Sequence, residues 1–110
     1  MADYNKWEVW RARVDFDDGM GSKERPVVII SGEKQIVLAL KVTTHNHSGR
    51  VRPFEYEIQF CKEAGLDDGS IIQCEKYYHI PCGRMTEHKY GRLSAADIIM
   101  VQTMMKFNGL

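Results

Sequence analysis

The chain has 110 residues, and its 15 Lys and Arg side chains balance 15 Asp and Glu side chains to a formal net charge of zero. This length predicts one domain over 1–110, and the neutral total excludes a protein that binds nucleic acid through bulk positive charge alone. No apolar run approaches the ~18 residues of a membrane-spanning helix, and the first six residues are polar, unlike a signal peptide. Three irregularly spaced cysteines do not predict a disulfide framework, so we expect a cytoplasmic protein.

The balanced charges are unevenly placed along the chain. Between Glu33 and Glu55 there is no acidic residue, and the segment 76–92 carries four Lys and Arg against one Glu. Acidic residues concentrate at 15–18 and 63–68. Two basic stretches can form a basic face on a neutral protein, and solvated strand edges and loops are the alternative interpretation.

The apolar pattern of the N-terminal part predicts a strand. Apolar and polar residues alternate from Trp10 to Phe16, which is typical of a half-buried strand. Trp7 and Val9 fall in the opposite phase, which indicates a bulge or a later start of the strand. The polar, Gly-containing segment 17–22 predicts a loop.

Near-continuous apolar runs at 27–30 and 36–42 predict two strands covered on both faces, joined by a turn at Gly32. A polar loop is expected at 45–52. The remaining pattern predicts a half-buried strand at 54–60, one helical turn over 61–66 ended by Gly65, a β-rich segment at 70–80 and a short polar strand within 84–92.

The C-terminal segment predicts one long helix. Ser94 followed by Asp97 is a capping-box-like start, and Gly109 lies where a C-cap is expected. Apolar residues spread beyond one stripe of this helix, so packing on a barrel and burial of a second face against a partner are both open. Together these elements predict a mainly β fold, a small β-barrel with a C-terminal helix, whose closure removes exposed sheet edges.

Two segments carry candidate chemistry. Pro26 fixes its own φ and favours an extended conformation at Arg25, which places a guanidinium at the mouth of a buried strand. Such a group matches phosphate in two-point contact. Thr43 and Thr44 end the next apolar run, followed by His45, and their side chains point to opposite faces. In an antiparallel pair Arg25 and one threonine lie side by side, although an ordinary strand end and turn remain the alternative.

Other chemistries lack the necessary pattern. The pair His45 and His47 would suggest zinc only with further closely spaced ligands, and the sequence has no C-x-x-C or H-E-x-x-H. Cys82 has no base at a supporting spacing, the paired aspartates lack a context for glycoside chemistry, and no phosphate-binding glycine loop is present. We therefore expect neither a metal nor a cofactor.

The order of these features resembles the MazF/PemK (Kid) toxins of bacterial type II toxin–antitoxin systems, from about Trp7 to about Lys106. The resemblance rests on Trp10 in the first strand, Gly21-Ser22-Lys23-Glu24-Arg25-Pro26-Val27-Val28-Ile29-Ile30, Lys41-Val42-Thr43-Thr44, Ala64-Gly65-Leu66, Ser70-Ile71-Ile72 and Gly91-Arg92-Leu93-Ser94-Ala95-Ala96-Asp97. It implies an SH3-like barrel that dimerises and has an antitoxin protein as its partner.

The resemblance also implies a sequence-specific endoribonuclease that cleaves single-stranded RNA, including mRNA, without a metal. The ribose 2′-hydroxyl attacks the adjacent phosphate and leaves a 2′,3′-cyclic phosphate and a 5′-hydroxyl. The catalytic arginine of the family falls on Arg25 and the catalytic threonine on Thr43, with Thr44 as the shifted alternative. His45 is extra relative to the best-known members, and with an ordinary pKa of about 6.5 we hypothesise that it is the base.

Basic and aromatic residues near this end of the fold are the candidate RNA contacts, because unpaired bases stack on aromatic rings and phosphates attract cations. The predicted RNA-binding residues are Lys23, Lys41, His47, Arg50, Arg52, Lys76, Tyr78 and His79. For the Tyr77–Tyr78 pair, one ring in the core and one on the surface is the alternative.

Two features depart from the family pattern. The loop between Phe16 and Arg25 is shorter than in the best-known members, so their sequence specificity does not carry over. The acids at 15–18 would repel phosphate unless they turn away. The alternatives are a catalytically inactive SH3-like barrel that acts by protein binding, as a degenerate toxin or a CcdB-like gyrase inhibitor, and an SH3-like module for proline-rich peptides.

Overall fold

The computed structural model describes residues 3–15, 19–33, 35–44 and 52–110, with Thr44 described by its backbone alone. This part of the chain forms seven strands, two α-helices and one 3₁₀ turn, which confirms the predicted mainly β fold with a C-terminal helix. The strands are β1 (Glu8–Asp15), β2 (Ser22–Gly32), β3 (Ile36–Thr44), β4 (Glu55–Glu57), β5 (Ser70–Gln73), β6 (Tyr78–Pro81) and β7 (Met85–Arg92). The helices are α1 (Cys61–Ala64) and α2 (Ala95–Phe107), and Cys82–Arg84 form the 3₁₀ turn.

The strand pairs are antiparallel, and the sheet has the order β4-β5-β3-β2-β1-β7. The long strand β3 pairs with β6 along its first half and with β5 along its second half. Within the described residues this ladder is open, with β4 and β7 at its ends. Helices cover these outer strands instead of strand pairing, since α1 packs against β7 and α2 against β4.

The curved sheet separates two apolar cores. The first core lies on the helix side and contains Trp7, Val9, Val28, Leu40, Val42, Tyr56, Ile58, Cys61, Ala64, Ile72, Cys74, Leu93, Val101 and Met105. The second core lies on the other face and contains Trp10, Ala12, Val14, Val27, Ile29, Val37, Ala39 and Ile80. The strands β1, β2 and β3 supply residues to both cores, which explains the continuous apolar runs of β2 and β3.

The alternation of apolar residues changes phase at the start of β1 because this strand also contributes to both cores. Val9 packs in the first core and Trp10 in the second, so both faces of β1 are buried there. The pairing of β1 with β2 is regular through this point, whereas its pairing with β7 shifts after Val9 and after Trp10, as a bulge requires. Trp7 has a left-handed backbone (φ 73°), with its amide bonded to the Ile29 carbonyl at 2.7 Å.

The two helices follow their sequence signals. Helix α1 ends at Gly65, whose φ of 75° is left-handed, as predicted for the residues 61–66. A side chain at Gly65 would place its Cβ 2.0 Å from the Tyr90 carbonyl oxygen, so glycine permits the close approach of α1 to β7. Helix α2 begins after Ser94, whose hydroxyl accepts the Asp97 amide at 3.1 Å. Among the described residues, no helix is long and apolar enough to cross a membrane.

Candidate active site and RNA-binding face

Register places several predicted site residues on one face of the sheet. Side chains directly opposite in an antiparallel ladder share a face, as do residues two apart on a strand. Arg25 is opposite Ala12, and Lys41 is opposite Val27. Ala12 and Val27 belong to the second core. The side chains of Arg25 and Lys41 therefore lie on the face of the sheet that carries the second core.

Three more residues complete this set. Lys23 is opposite Val14 and Tyr78 is opposite Ala39, and both partners belong to the second core. Thr43 lies two residues beyond Lys41 and therefore on the same side. We call the surface formed by Lys23, Arg25, Lys41, Thr43 and Tyr78 the basic face.

The position of Arg25 corrects one expectation. The sequence predicts that Arg25 stands at the mouth of a strand that begins at residue 27, but β2 begins at Ser22 and makes Arg25 its fourth residue. The reason is that β1 extends to Asp15 and pairs with β2 as far as Ser22. The half-buried Arg25 is thus held by the pairing of β2 with β1, which fixes its backbone more firmly than a strand end would.

Thr43 is half-buried and lines a cavity of about 270 Å³. Pro26, Leu66, Ser70 and Tyr90 also line this cavity, but Arg25 does not. The β2–β3 register, which pairs Val27 with Lys41, would bring Arg25 opposite Thr43 if continued by two residues. Thr44 is the last residue of β3, opposite Ser70, and nothing is described of its side chain.

Tyr78 joins two of the predicted RNA-binding lysines. Its half-buried ring packs against the second core, and the Nζ atoms of Lys41 and Lys76 lie 5.2 Å and 4.9 Å from its centroid. The neighbouring Tyr77 packs against the first core instead. The structure therefore brings Lys41, Lys76 and Tyr78 into one cluster, and both tyrosines have partly buried rings.

The other predicted contacts are more scattered. Lys23 and His79 are exposed, and His79 lines a second cavity described below. Arg52 is exposed beside β4, where its amide bonds to Glu55 at 3.0 Å, and it is not part of the basic face. His45, His47 and Arg50 lie outside the described residues.

A second cavity of about 340 Å³ lies between β1, β6 and the 3₁₀ turn. Its lining consists of Arg13, Val14, Asp15, Tyr78, His79, Ile80, Pro81 and Arg84. The sequence pattern did not indicate Arg13 or Arg84 as members of a site. Alternation along β1 marks Arg13 as outward-facing, and only the packing of the 3₁₀ turn against β1 brings Arg84 to the same place.

An ion pair involves the one described acid of the segment 15–18, and a further acid on β2 is paired as well. Asp15 is paired with Arg84, while Glu24 is shared by Arg11 and Arg13, each at 3.2 Å. Residues 16–18 lie outside the described residues. At Asp15, the only one of these acids that the structure describes, a positive partner compensates the charge.

Within the described residues, no three His, Cys, Asp or Glu side chains are close enough together to hold a metal ion. The three cysteines are free thiols, and burial raises the pKa of Cys74 to about 12, so this thiol stays protonated and unreactive at neutral pH.

Solved structures share this mainly β fold with a C-terminal helix. An endoribonuclease from Mycobacterial species superposes with a TM-score of 0.67 at 13% identity, covering 98% of this chain and 93% of that chain. The Mycobacterium tuberculosis toxin MazF-mt6 superposes with a TM-score of 0.63 at 19% identity, covering 90% of this chain and 94% of that chain.

The sequence itself assigns the family. A profile of the PemK-like, MazF-like toxins of type II toxin–antitoxin systems matches residues 5–107, so the chain belongs to this family. The resemblance predicted from the strand and helix motifs is thereby confirmed. Curated protein sequences give no significant match to this chain. A toxin of a type II system has an antitoxin as its counterpart, and an antitoxin protein is therefore the partner that the family assignment implies.

Proposed function

We propose that this toxin is an endoribonuclease that cleaves single-stranded RNA at the basic face. The observation that supports the proposal is the pairing of Val27 with Lys41, because side-chain alternation from this pair indicates the same side of the sheet for Arg25 and Thr43. Two solved structures of the same fold are named as an endoribonuclease and as a MazF toxin, which supports this activity.

The chemistry requires no group from outside the chain. The ribose 2′-hydroxyl attacks the adjacent phosphorus, and the 5′-oxygen leaves, which gives a 2′,3′-cyclic phosphate and a 5′-hydroxyl. Negative charge grows on the phosphate oxygens in the transition state, and a positioned guanidinium stabilises that charge through directed hydrogen bonds. We assign this role to Arg25, and we assign to the Thr43 hydroxyl the orientation of the phosphate.

The base that takes the 2′-hydroxyl proton is a separate part of the proposal. His45 follows β3 directly after Thr44 and remains our candidate. If it acts as the base, His45→Ala lowers the cleavage rate and removes a pH-dependent limb from the rate profile. Full cleavage by this variant at every pH would eliminate His45.

The test is incubation of the purified protein with a long single-stranded RNA in excess EDTA. We expect the wild type to cleave and Arg25→Ala to lose roughly 100-fold or more in rate, since removal of one such transition-state donor costs about that much. Lys106→Ala, which removes a positive charge from the exposed side of α2, is the matched control and should cleave normally. Terminal analysis of the fragments identifies the cyclic phosphate.

The outcomes separate the competing functions. Cleavage that stops in EDTA contradicts metal independence, and cleavage that persists in Arg25→Ala contradicts the role of Arg25. If the wild type cleaves none of several RNAs, a catalytically inactive barrel that acts by protein binding becomes the better interpretation.

We also propose that the toxin is a homodimer. Helix α2 buries Val101 and Met105 but leaves Ile99 and Phe107 61% and 82% exposed, which gives an apolar face available to a second copy. Sedimentation velocity on the wild type should give twice the monomer mass, and Ile99→Glu should lower that mass. If the wild type keeps the mass of a monomer even at high protein concentration, the homodimer proposal is wrong.

A further inference from the structure

Part of the lining of the cavity at Thr43 comes from the segment between α1 and β5. Within residues 65–70, which we call the cavity segment, four residues line this cavity of about 270 Å³: Gly65, Leu66, Asp67 and Ser70. Because the cavity segment and Thr43 line the same space, the position of the segment helps to set how much room an RNA strand has at that threonine.

The far end of the cavity segment is held by strand pairing. Ser70 is the first residue of β5 and lies opposite Thr44, and the next residue, Ile71, lies opposite Thr43. The Ser70 hydroxyl also donates to the Asp67 carbonyl at 2.7 Å. These contacts fix the segment where it enters β5, whereas its other end follows α1.

Helix α1 consists of one turn and is too short to keep its direction by its own backbone bonds, so tertiary contacts must orient it. Its N-cap residue, Phe60, supplies no side-chain cap. The helix continues directly into the cavity segment, because the Leu66 amide donates to the Cys61 carbonyl at 2.9 Å. The contacts that orient α1 therefore also set the start of the cavity segment.

Asp97 of α2 holds the two residues directly before α1. Its Oδ1 accepts the Gln59 amide at 3.0 Å, and its Oδ2 accepts the Phe60 amide at 3.1 Å. The carboxylate is itself held in place, since it is fully buried and the hydroxyls of Tyr56 and Ser94 donate to the same two oxygens. Both amides belong to the backbone, so Asp97 fixes the path of the chain into α1.

From these observations we propose that Asp97 is a positioning residue for the RNA cleavage site, because it fixes the backbone before α1 and thereby sets the cavity segment beside Thr43. Asp97 is not part of the cavity lining, so it acts through the backbone and not by touching RNA. The inference rests on the proposed function, since it concerns the site at which we place RNA.

The main variant is Asp97→Asn, which keeps the size of the side chain but replaces one acceptor oxygen by an NH₂ donor. A backbone N–H cannot accept a hydrogen bond, so at least one of the Gln59 and Phe60 amides loses its partner. Tyr56→Phe and Ser94→Ala are the matched controls, because each removes one hydroxyl from the same carboxylate and leaves both amide bonds in place. Chemical denaturation gives the folded fraction of all three variants.

The readout is the separation of KM from kcat for cleavage of a single-stranded RNA. Partial unfolding lowers the apparent kcat but leaves KM unchanged, because the remaining folded molecules are unaltered. We expect Asp97→Asn to raise KM and to lower kcat/KM by up to about 100-fold, the order that a displacement of ~1 Å at a site costs. Tyr56→Phe and Ser94→Ala should keep the wild-type KM. The proposal is overturned if Asp97→Asn keeps the wild-type KM, or if all three variants raise KM equally.

Hydrogen exchange of the protein without RNA separates this proposal from the failure of the proposed function. Even if the wild type cleaves no RNA, faster exchange of the amides of α1 and the cavity segment in Asp97→Asn than in Tyr56→Phe supports the positioning role, and equal exchange rejects it. If Asp97→Asn does not fold, exchange in the wild type decides. The Gln59 and Phe60 amides should then be as protected as the Asp97 amide, which donates to the Ser94 hydroxyl at 3.1 Å, and fast exchange at both overturns the proposal.

Discussion

Asp97 is a carboxylate that is fully buried, so its charge must be stabilised by hydrogen bonds within the protein. It accepts the Tyr56 hydroxyl at 2.6 Å, the Gln59 and Phe60 amides at 3.0 and 3.1 Å, and the Ser94 hydroxyl at 3.0 Å. Burial by itself raises the pKa of Asp97, but these hydrogen bonds outweigh it and the pKa is lowered. The capping-box motif predicted the contact with Ser94, whereas the links to Tyr56 and to the segment before α1 depend on the packing of α2 against β4.

Glu8 is a second buried carboxylate, at the start of β1. It accepts the Lys89 ammonium at 2.7 Å, the Asn5 amide at 2.9 Å and the Trp10 indole at 3.0 Å. Burial by itself raises the pKa of Glu8, but the bonds from Lys89, Asn5 and Trp10 outweigh it and lower the pKa to about 2. Glu8 thus connects the N-terminal segment to β7, and the alternating pattern of β1 gave no signal for this role.

The lowered pKa of Glu8 predicts a pH-dependent loss of stability. The folded pKa lies below the unfolded value of about 4.3, so the stabilisation is complete above about pH 5 and is lost as the pH falls towards 2. We expect roughly 2–3 kcal/mol of the free energy of unfolding to disappear over this range through Glu8. Urea unfolding at several pH values measures it.

Glu8→Gln is the variant for this prediction, and Glu63→Gln, on the exposed side of α1, is its control. The first should flatten the dependence of stability on pH between 5 and 2, and the second should leave it unchanged. An equally steep dependence in Glu8→Gln would show that other carboxylates, such as Asp97, dominate acid unfolding.

At the scale of elements, the contact between α1 and β7 depends on two glycines. Cβ atoms at Gly65 and Gly91 would lie 2.0 Å from the Tyr90 carbonyl oxygen and 2.8 Å from the Ala64 carbonyl carbon. The sequence predicted Gly65 as the end of the helical turn. It did not indicate that the same glycine allows a strand backbone to approach, because that contact joins segments about a quarter of the chain apart.

A series of Gly→Ala variants separates backbone conformation from close approach. Gly69 has a φ of 85° but open space around it, so Gly69→Ala should cost only the left-handed conformation, about 1–2 kcal/mol. Gly65 has a similar φ of 75° together with the clash, so Gly65→Ala should cost clearly more. Gly83→Ala, without either constraint, should be nearly neutral. Chemical denaturation ranks the three, and equal costs at Gly65 and Gly69 would contradict the role of the contact.

At the scale of the whole molecule, a neutral chain presents a basic face because its charges are segregated by the fold. The face of the sheet that carries the second core also carries Lys23, Arg25 and Lys41. The carboxylates of Asp15 and Glu24 are paired with arginines. The two basic stretches predicted from the sequence meet at one point, where Lys41 and Lys76 contact the ring of Tyr78.

This arrangement predicts salt-dependent binding of single-stranded RNA by a protein without net charge. If Lys41 contacts one phosphate, Lys41→Gln should reduce the slope of log affinity against log salt concentration by about 0.7. Lys62→Gln, on the exposed side of α1, should leave the slope unchanged. Affinities from anisotropy at several salt concentrations supply the slopes, and identical slopes for Lys41→Gln and the wild type would place Lys41 outside the interface.

Local patterns in the sequence were sufficient to predict most of the elements and the family. Alternation, apolar runs, Gly65 and the Ser94–Asp97 cap depend on residues within a few positions of one another, so β2, β3, α1 and α2 could be predicted. The strand predicted at 54–60 was reduced to the three residues of β4, and the single domain stays a prediction.

How these elements come together as a site depends on the tertiary structure. It placed Arg25 inside β2, put Lys41 and Lys76 against Tyr78, and built the second cavity from Arg13 and Arg84. Each of these contacts joins residues distant in the chain, and each depends on strand register and on the packing of a short turn. Register fixes which side chains share a face, and it arises from the burial of both cores together rather than from any local pattern.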